Sequence, residues 1–205
     1  MFDVGGFYGS KTFVFVSLGA RVVVVEPNPD CVRLLQRRFR RRDHVRLIPA
    51  IASNAEGEAT VWVDDQVPEI TSVQREWLSS GPAAPGIGPA RPVHVRSRTL
   101  DSLIDEFGCP RYVKIDAEGH EPQVLQGLHH RCDFISFEVH RRDPDKVARC
   151  LDEISRLGEF RLNLVYENQK RFVFDHWLTR SEWQQWVWGD ATPHTADLFC
   201  HVVPR

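Results

Sequence analysis

The chain opens on an acid and a glycine loop, Phe2-Asp3-Val4-Gly5-Gly6-Phe7-Tyr8-Gly9, and soon reaches Arg21-Val22-Val23-Val24-Val25-Glu26-Pro27-Asn28-Pro29. The unbroken valine run has the pattern of a parallel strand buried on both faces. A glycine loop after one strand, then a second strand closed by an acid, holds a nucleotide-type cofactor at strand ends. Gly5 and Gly9 give G-x-x-x-G, whereas the dinucleotide fingerprint would need glycines where Phe7 and Ser10 stand. A carboxylate at the loop mouth, Asp3, repels a pyrophosphate and suits a cation. S-adenosylmethionine carries a sulfonium and an ammonium and no phosphate, and a carboxylate such as Glu26 can accept from both of its ribose hydroxyls. The expected methyl-donor site comprises Asp3, Gly5, Gly6, Gly9, Glu26 and Asn28, with Ala52 from the third strand.

Composition narrows the class further. The 205 residues suffice for one well-buried domain, and 42% hydrophobic with 26% charged residues is ordinary for a globule. A net charge of -2 gives no global field toward nucleic acid or membrane. Five dispersed cysteines without a C-x-x-C pair fit reduced thiols. No signal peptide is visible, and no apolar stretch approaches the roughly 18 residues of a membrane span. The expected compartment is the cytoplasm.

Strands and helices should alternate. Met1–Val4 and Val22–Val25 read as strands, Val45 to Ala52 as a third, Tyr112–Ile115 as a fourth and Phe134–Val139 as a fifth. Phe160–Val165, Arg171–Phe174 and Leu198–Val203 supply late strands. Helices should start at Ser10, at Asn28-Pro29, at Thr99 and at Asp143-Pro144. Ala59–Val63 alternates like an antiparallel strand partnered by Val93 and Val95, with a Pro/Gly-rich loop, Gly81 to Pro89, between them. The alternation implies one domain around a mainly parallel sheet with right-handed crossovers.

A second constellation is Lys114-Ile115-Asp116-Ala117-Glu118-Gly119-His120-Glu121-Pro122, at the end of the fourth strand, where ligands bind in such folds. Phe137-Glu138-Val139-His140 adds an acid and a histidine at the next strand end. Here the sequence resembles the FkbM-type S-adenosylmethionine-dependent methyltransferases. The matching pieces are Asp3-Val4-Gly5 with Gly9, Val25 to Pro29, Thr99 to Ile104, Lys114 to Glu121, Val124 to Gly127, Glu138, and Ala196 to Phe199. The resemblance implies an α/β fold of the class I methyltransferase, Rossmann-like kind. That is a three-layer sandwich around a mainly parallel seven-stranded sheet with an inserted β-hairpin. It also implies O-methylation of a hydroxyl on a sugar or natural product, a small-molecule acceptor. Family members usually carry Ala-Asn where this chain has Gly6-Phe7. They also carry helical sequence ahead of the first strand, so the expectation is a single domain over 1–205 without that segment. The alternative reading is a catalytically impaired, cofactor-binding remnant of the same family.

Asp116 is the first choice for accepting the acceptor's proton, with His120 or His140 as alternatives and Glu118 binding acceptor hydroxyls or bracing the loop. Duller readings stand beside these. Asp3 and Glu26 could brace loops, Gly5 and Gly9 could serve a tight turn, and Asp116 and Glu118 could feed a helix N-terminus. A divalent metal among Asp116, Glu118, Glu121, Glu138 and His140 is a lesser alternative, and no metal is assigned. His129-His130-Arg131-Cys132 lacks a second ligand pair for zinc. Arg37 to Arg42 reads as a solvated helix end rather than a nucleic-acid surface. Trp177, Trp183, Trp186 and Trp188 cluster near a helix that Ser181 should cap, with Gln184 completing the box.

Overall fold

Four consecutive valines can all be buried only if both faces of their strand are covered, and the fold is built around that condition. The computed structural model describes residues 1–64, 71–73, 90–167, 169–186 and 193–203. In chain order its first elements are β1 (Phe2–Val4), α1 (Ser10–Ser17), β2 (Val22–Val25), α2 (Pro29–Phe39), β3 (Val45–Ile48) and β4 (Ala50–Ala52). Next come β5 (Gly57–Asp64), β6 (Thr71–Ser72), β7 (Ala90–Arg98), α3 (Leu100–Phe107), β8 (Tyr112–Ile115) and α4 (Glu121–Gln126). The last are β9 (Phe134–His140), α5 (Pro144–Leu157), β10 (Phe160–Tyr166), α6 (Arg180–Gln185) and β11 (Thr195–Val202).

The main sheet has seven strands in the order β10-β11-β9-β8-β1-β2-β3. Neighbours pair parallel from β9 to β3, and β11 alone runs against its neighbours. Val22 and Val24 pack with Val16 of α1 and with Leu35 and Phe39 of α2. Val23 and Val25 join a larger core on the other face, with Leu100 and Leu103 of α3 and Ile154 of α5. Helices therefore cover both faces, the three-layer arrangement that the valine run demands.

Local signals place the helices. Asn28 Oδ1 accepts the Asp30 N–H at 2.9 Å with Pro29 in the first turn, a cap worth about 1 kcal/mol. Thr99 caps α3 and Asp143 caps α5 in the same way.

Three expectations need correction. The third strand is two strands, because Pro49 has no N–H to continue the ladder. β3 stays in the main sheet, and β4 crosses to a second sheet ordered β4-β7-β5-β6. Arg171–Phe174 is not a strand. The Asn163 side chain instead holds that segment, donating to the Phe174 and His176 carbonyls and accepting the Phe174 N–H. Thr179 rather than Ser181 caps α6, and its box partner is Glu182 rather than Gln184. In the second sheet Ala59 pairs with Val95 and Val61 with Val93, antiparallel. The Gly81–Pro89 loop and Trp188 lie outside the described residues.

Candidate functional site

Strands β1, β2 and β8 end level, with Val4, Val25 and Ile115 in register. Past these tips the chain turns through Gly5, Glu26 and Asp116, and the turns surround a cleft of about 400 Å³. Gly5 takes φ +73, and a Cβ there would sit 1.8 Å from the Asp116 carbonyl oxygen. Only glycine lets the first loop pass so close to the second constellation. The second sheet supplies an opposing wall through Ile51, Val61, Thr71 and Val73.

Glu26 lines this cleft with both oxygens engaged: Oε2 accepts the Phe7 N–H at 2.7 Å and Oε1 the Asn28 N–H at 2.9 Å. Phe7 adopts φ 45, which aims its amide at the carboxylate. Burial pushes Glu26 up to about 7, against the two amide bonds. Each oxygen keeps a second lone pair for a ligand hydroxyl.

Asp116, Glu118, His120 and Glu138 line the other side with Ala52 at the base. Asp116 Oδ2 accepts from the Lys114 ammonium at 3.0 Å. That ammonium also reaches the Gly5 carbonyl at 3.1 Å and Asp3 Oδ1 at 3.6 Å. Burial alone would lower Lys114, but Asp116 and Asp3 more than offset it and hold the ammonium above its ordinary range. Glu118 stands at φ 47, and its carbonyl accepts from Ser72 Oγ at 3.0 Å. Burial, then the carboxylates of Asp116, Glu138 and Glu121, push Glu118 up to about 9. Burial also raises Glu138, whose Oε2 lies 3.0 Å from His140 Nε2. His120 Nε2 meets Ser53 Oγ at 3.0 Å, and burial lowers its pKa.

Several expected site residues stand outside the cleft wall. Asp3 is fully buried beneath it, on the α1 side, bonded by Thr12 and paired with Lys114. Gly6 and Gly9 make room for Val24 and for Leu35 and Phe39 instead of a ligand. Asn28 is the α2 cap and donates to Thr71. His140 is not part of the described cleft lining and meets Glu138 at 3.0 Å. His129 and His130 both turn to Asp101, at 2.7 and 3.0 Å. Among the described residues no group of three His, Cys, Asp or Glu side chains is arranged to hold a metal ion.

The sequence reading missed the pair beneath the loop. Glu121 Oε1 accepts the N–H groups of Ala117 and Gly119 at 3.2 and 3.3 Å, and Oε2 lies 3.0 Å from Lys146 Nζ. Both side chains are buried, and nothing in the sequence around Lys146 marks it. It also missed Ser53, which follows Ala52 directly, and Glu167 at the cleft edge.

In comparison with known proteins, the family described as Methyltransferase FkbM domain matches residues 3–177. No curated protein matches the chain. Among solved structures, the precorrin-6y C5,15-methyltransferase from Geobacter metallireducens GS-15 aligns at 10% identity and a TM-score of 0.44. It covers 99% of this chain and 79% of that one. No helix among the described residues is long and apolar enough to cross a membrane.

Proposed function

Since the chain belongs to the FkbM methyltransferase family, we propose that its cleft binds S-adenosylmethionine and methylates a hydroxyl of a small molecule, a sugar or natural product. The observation that carries this reading is the acidic lining of the cleft, whose members Glu26 and Glu118 are pushed by burial to hold their protons more tightly than usual and would release them to a bound cation. Glu26, Asp116, Glu118, Glu138 and Glu167 line it, and the described lining includes no Lys or Arg. Such a wall favours a cationic ligand and opposes a phosphate-bearing one. The residues fit the donor. Glu26 has lone pairs left for ribose hydroxyls, Gly5 lets the first loop close against the Asp116 backbone at the cleft edge, and Ile51, Ala52 and Val61 offer an apolar wall for a base.

The bound donor supplies an electrophilic methyl group on a sulfonium. The protein's contributions are alignment and proton removal. Orienting the reactants can supply about 7–11 kcal/mol of the barrier. Asp116 takes the hydroxyl proton of the acceptor, with its Oδ2 fixed by Lys114. Glu118 and His120 shape the acceptor's seat, and Asp3 acts indirectly by anchoring Lys114 under the loop. The reaction is assigned to the cytoplasm, in keeping with five cysteines that are all in the thiol form.

Asp116→Asn is expected to lower methyl transfer by about 10²–10⁴-fold, the usual contribution of a general base. Calorimetric affinity for S-adenosylhomocysteine should stay unchanged. Full turnover in that variant would remove Asp116 from the role.

A further inference from the structure

Four of the five large apolar side chains exposed among the described residues share one surface. Phe13 and Val14 of α1, with Leu18 at its end, are 48%, 52% and 78% exposed, and Leu34 of α2 is 41% exposed. Both helices cover the same face of the main sheet, where Val16, Leu35 and Phe39 pack on Val22 and Val24, so their outer sides adjoin. Gly9, just ahead of α1, lies against Leu35 and Phe39, which sets α1 beside the second half of α2. Apolar surface gathered in this way marks a contact site.

The same surface carries the arginine run at the end of α2. Arg37, Arg40, Arg41 and Arg42 are exposed, and none of their guanidinium groups has a hydrogen bond or ion pair among the described residues. Arg37 follows Leu34 by three positions and so stands on its side of the helix. Arg38 ties the two features together: its Nη1 donates to the Tyr8 carbonyl at 2.7 Å, and its guanidinium lies 5.4 Å from the centre of the Phe13 ring. Little negative charge answers these cations from within the chain. α1 contains no acid, and Asp30, at the other end of α2, is taken by Arg33 and Arg91. With a net charge of -2 on the whole chain, the positive field is local to this surface.

We propose that the outer side of α1 and the second half of α2 is a peripheral docking surface for an anionic phospholipid bilayer. Phe13, Val14, Leu18 and Leu34 enter the headgroup boundary, and Arg37, Arg40, Arg41 and Arg42 meet the lipid phosphates and carboxylates. An anionic bilayer satisfies both features at once, because it takes up apolar side chains and attracts cations in the same layer. A nucleic acid would answer the arginines but leave Val14, Leu18 and Leu34 in water. Single strands are held in grooves on aromatic platforms, whereas these side chains are mostly aliphatic and stand on the outside of helices. A second copy would bring the same arginines face to face across a two-fold axis. The proposal is independent of what the cleft binds.

The test is flotation of the full chain with vesicles of phosphatidylcholine alone and with vesicles containing about 30% phosphatidylserine, at about 0.15 M salt. The chain should float with the anionic vesicles and not with the neutral ones. Arg37→Ala/Arg41→Ala should weaken partitioning at least about tenfold, since each arginine near such a surface adds roughly fivefold. Leu18→Ser should weaken it at least about threefold through lost apolar burial. Lys170→Ala/Arg171→Ala removes the same charge beyond β10, at the opposite edge of the sheet, and should leave partitioning unchanged. All five altered side chains are exposed, so the melting transition should persist in each variant. No flotation with the anionic vesicles, equal flotation with both kinds, undiminished partitioning in the arginine or Leu18 variant, or an equal loss in the Lys170/Arg171 variant overturns the proposal. Without flotation, binding of mixed-sequence RNA gives the surface to nucleic acid, and a dimer that Leu18→Ser dissociates gives it to a second copy; either result overturns the proposal too.

Discussion

Glu118 shows how charge at this site bears on stability. Its carboxyl is pushed to about 9 in the folded chain, against an ordinary value of 4.5. The folded state therefore holds a proton that the unfolded state has released between those values, and stability falls as pH rises through that window. The contribution is present below about 4.5 and gone by about 9. Glu118→Gln is expected to raise the melting temperature at pH 8 and to flatten its decline between pH 5 and 9. Melting curves across that range check it, and an unchanged slope contradicts it. Residue type and strand-end position were enough to single out Gly5, Glu26, Asp116, Glu118 and His120 from sequence. Asp3 was mislocated for a reason also open to sequence. Phe2 and Val4 point to one face of β1, so the residue between them turns to the other, where Thr12 of α1 meets it.

At the level of elements, the loop that carries Asp116 and Glu118 is held by α5 through Lys146 and Glu121. Lys146→Met would leave a fully buried carboxylate unpaired, at a cost of about 3–5 kcal/mol in denaturant unfolding. A loss below about 1 kcal/mol would show that the pair does not brace the loop. Lys146 was invisible in sequence because its partner lies on another helix and no short-range pattern links them. The α6 cap makes the opposite point. Two overlapping frames, Thr179 with Glu182 and Ser181 with Gln184, both fit a capping box. Tertiary pairing decides between them: Leu178 exchanges backbone hydrogen bonds with Leu162, which fixes where the helix can begin. Thr179→Ala should cost about 1 kcal/mol and Ser181→Ala little, as measured by equilibrium unfolding. The reverse order would restore the rejected frame.

Across the whole molecule, periodicity and caps were enough to read an α/β fold with a mostly parallel sheet, because the valine run and the Asn28-Pro29 start are local signals. The second sheet was only half legible. β4 pairs parallel with β7 through residues more than forty positions apart, Ala50 with Arg96 and Ala52 with Arg98. Such a pairing leaves no mark in a sequence window, whereas Pro49, without an N–H, was a local signal against one continuous third strand that the reading of Val45 to Ala52 as a single strand passed over. This second sheet gives the strand tips an opposing wall and so makes them a cleft, and the account stands or falls on what that cleft binds. The most direct measurement is calorimetric titration of S-adenosylmethionine into the protein and into its Glu26→Ala variant. Saturable one-to-one binding to the parent, weakened at least about tenfold in the variant, is the predicted result, about 1.4 kcal/mol or more for the lost carboxylate contacts. No binding at millimolar ligand, or equal affinity in both proteins, would contradict the assignment of this cleft to the methyl donor.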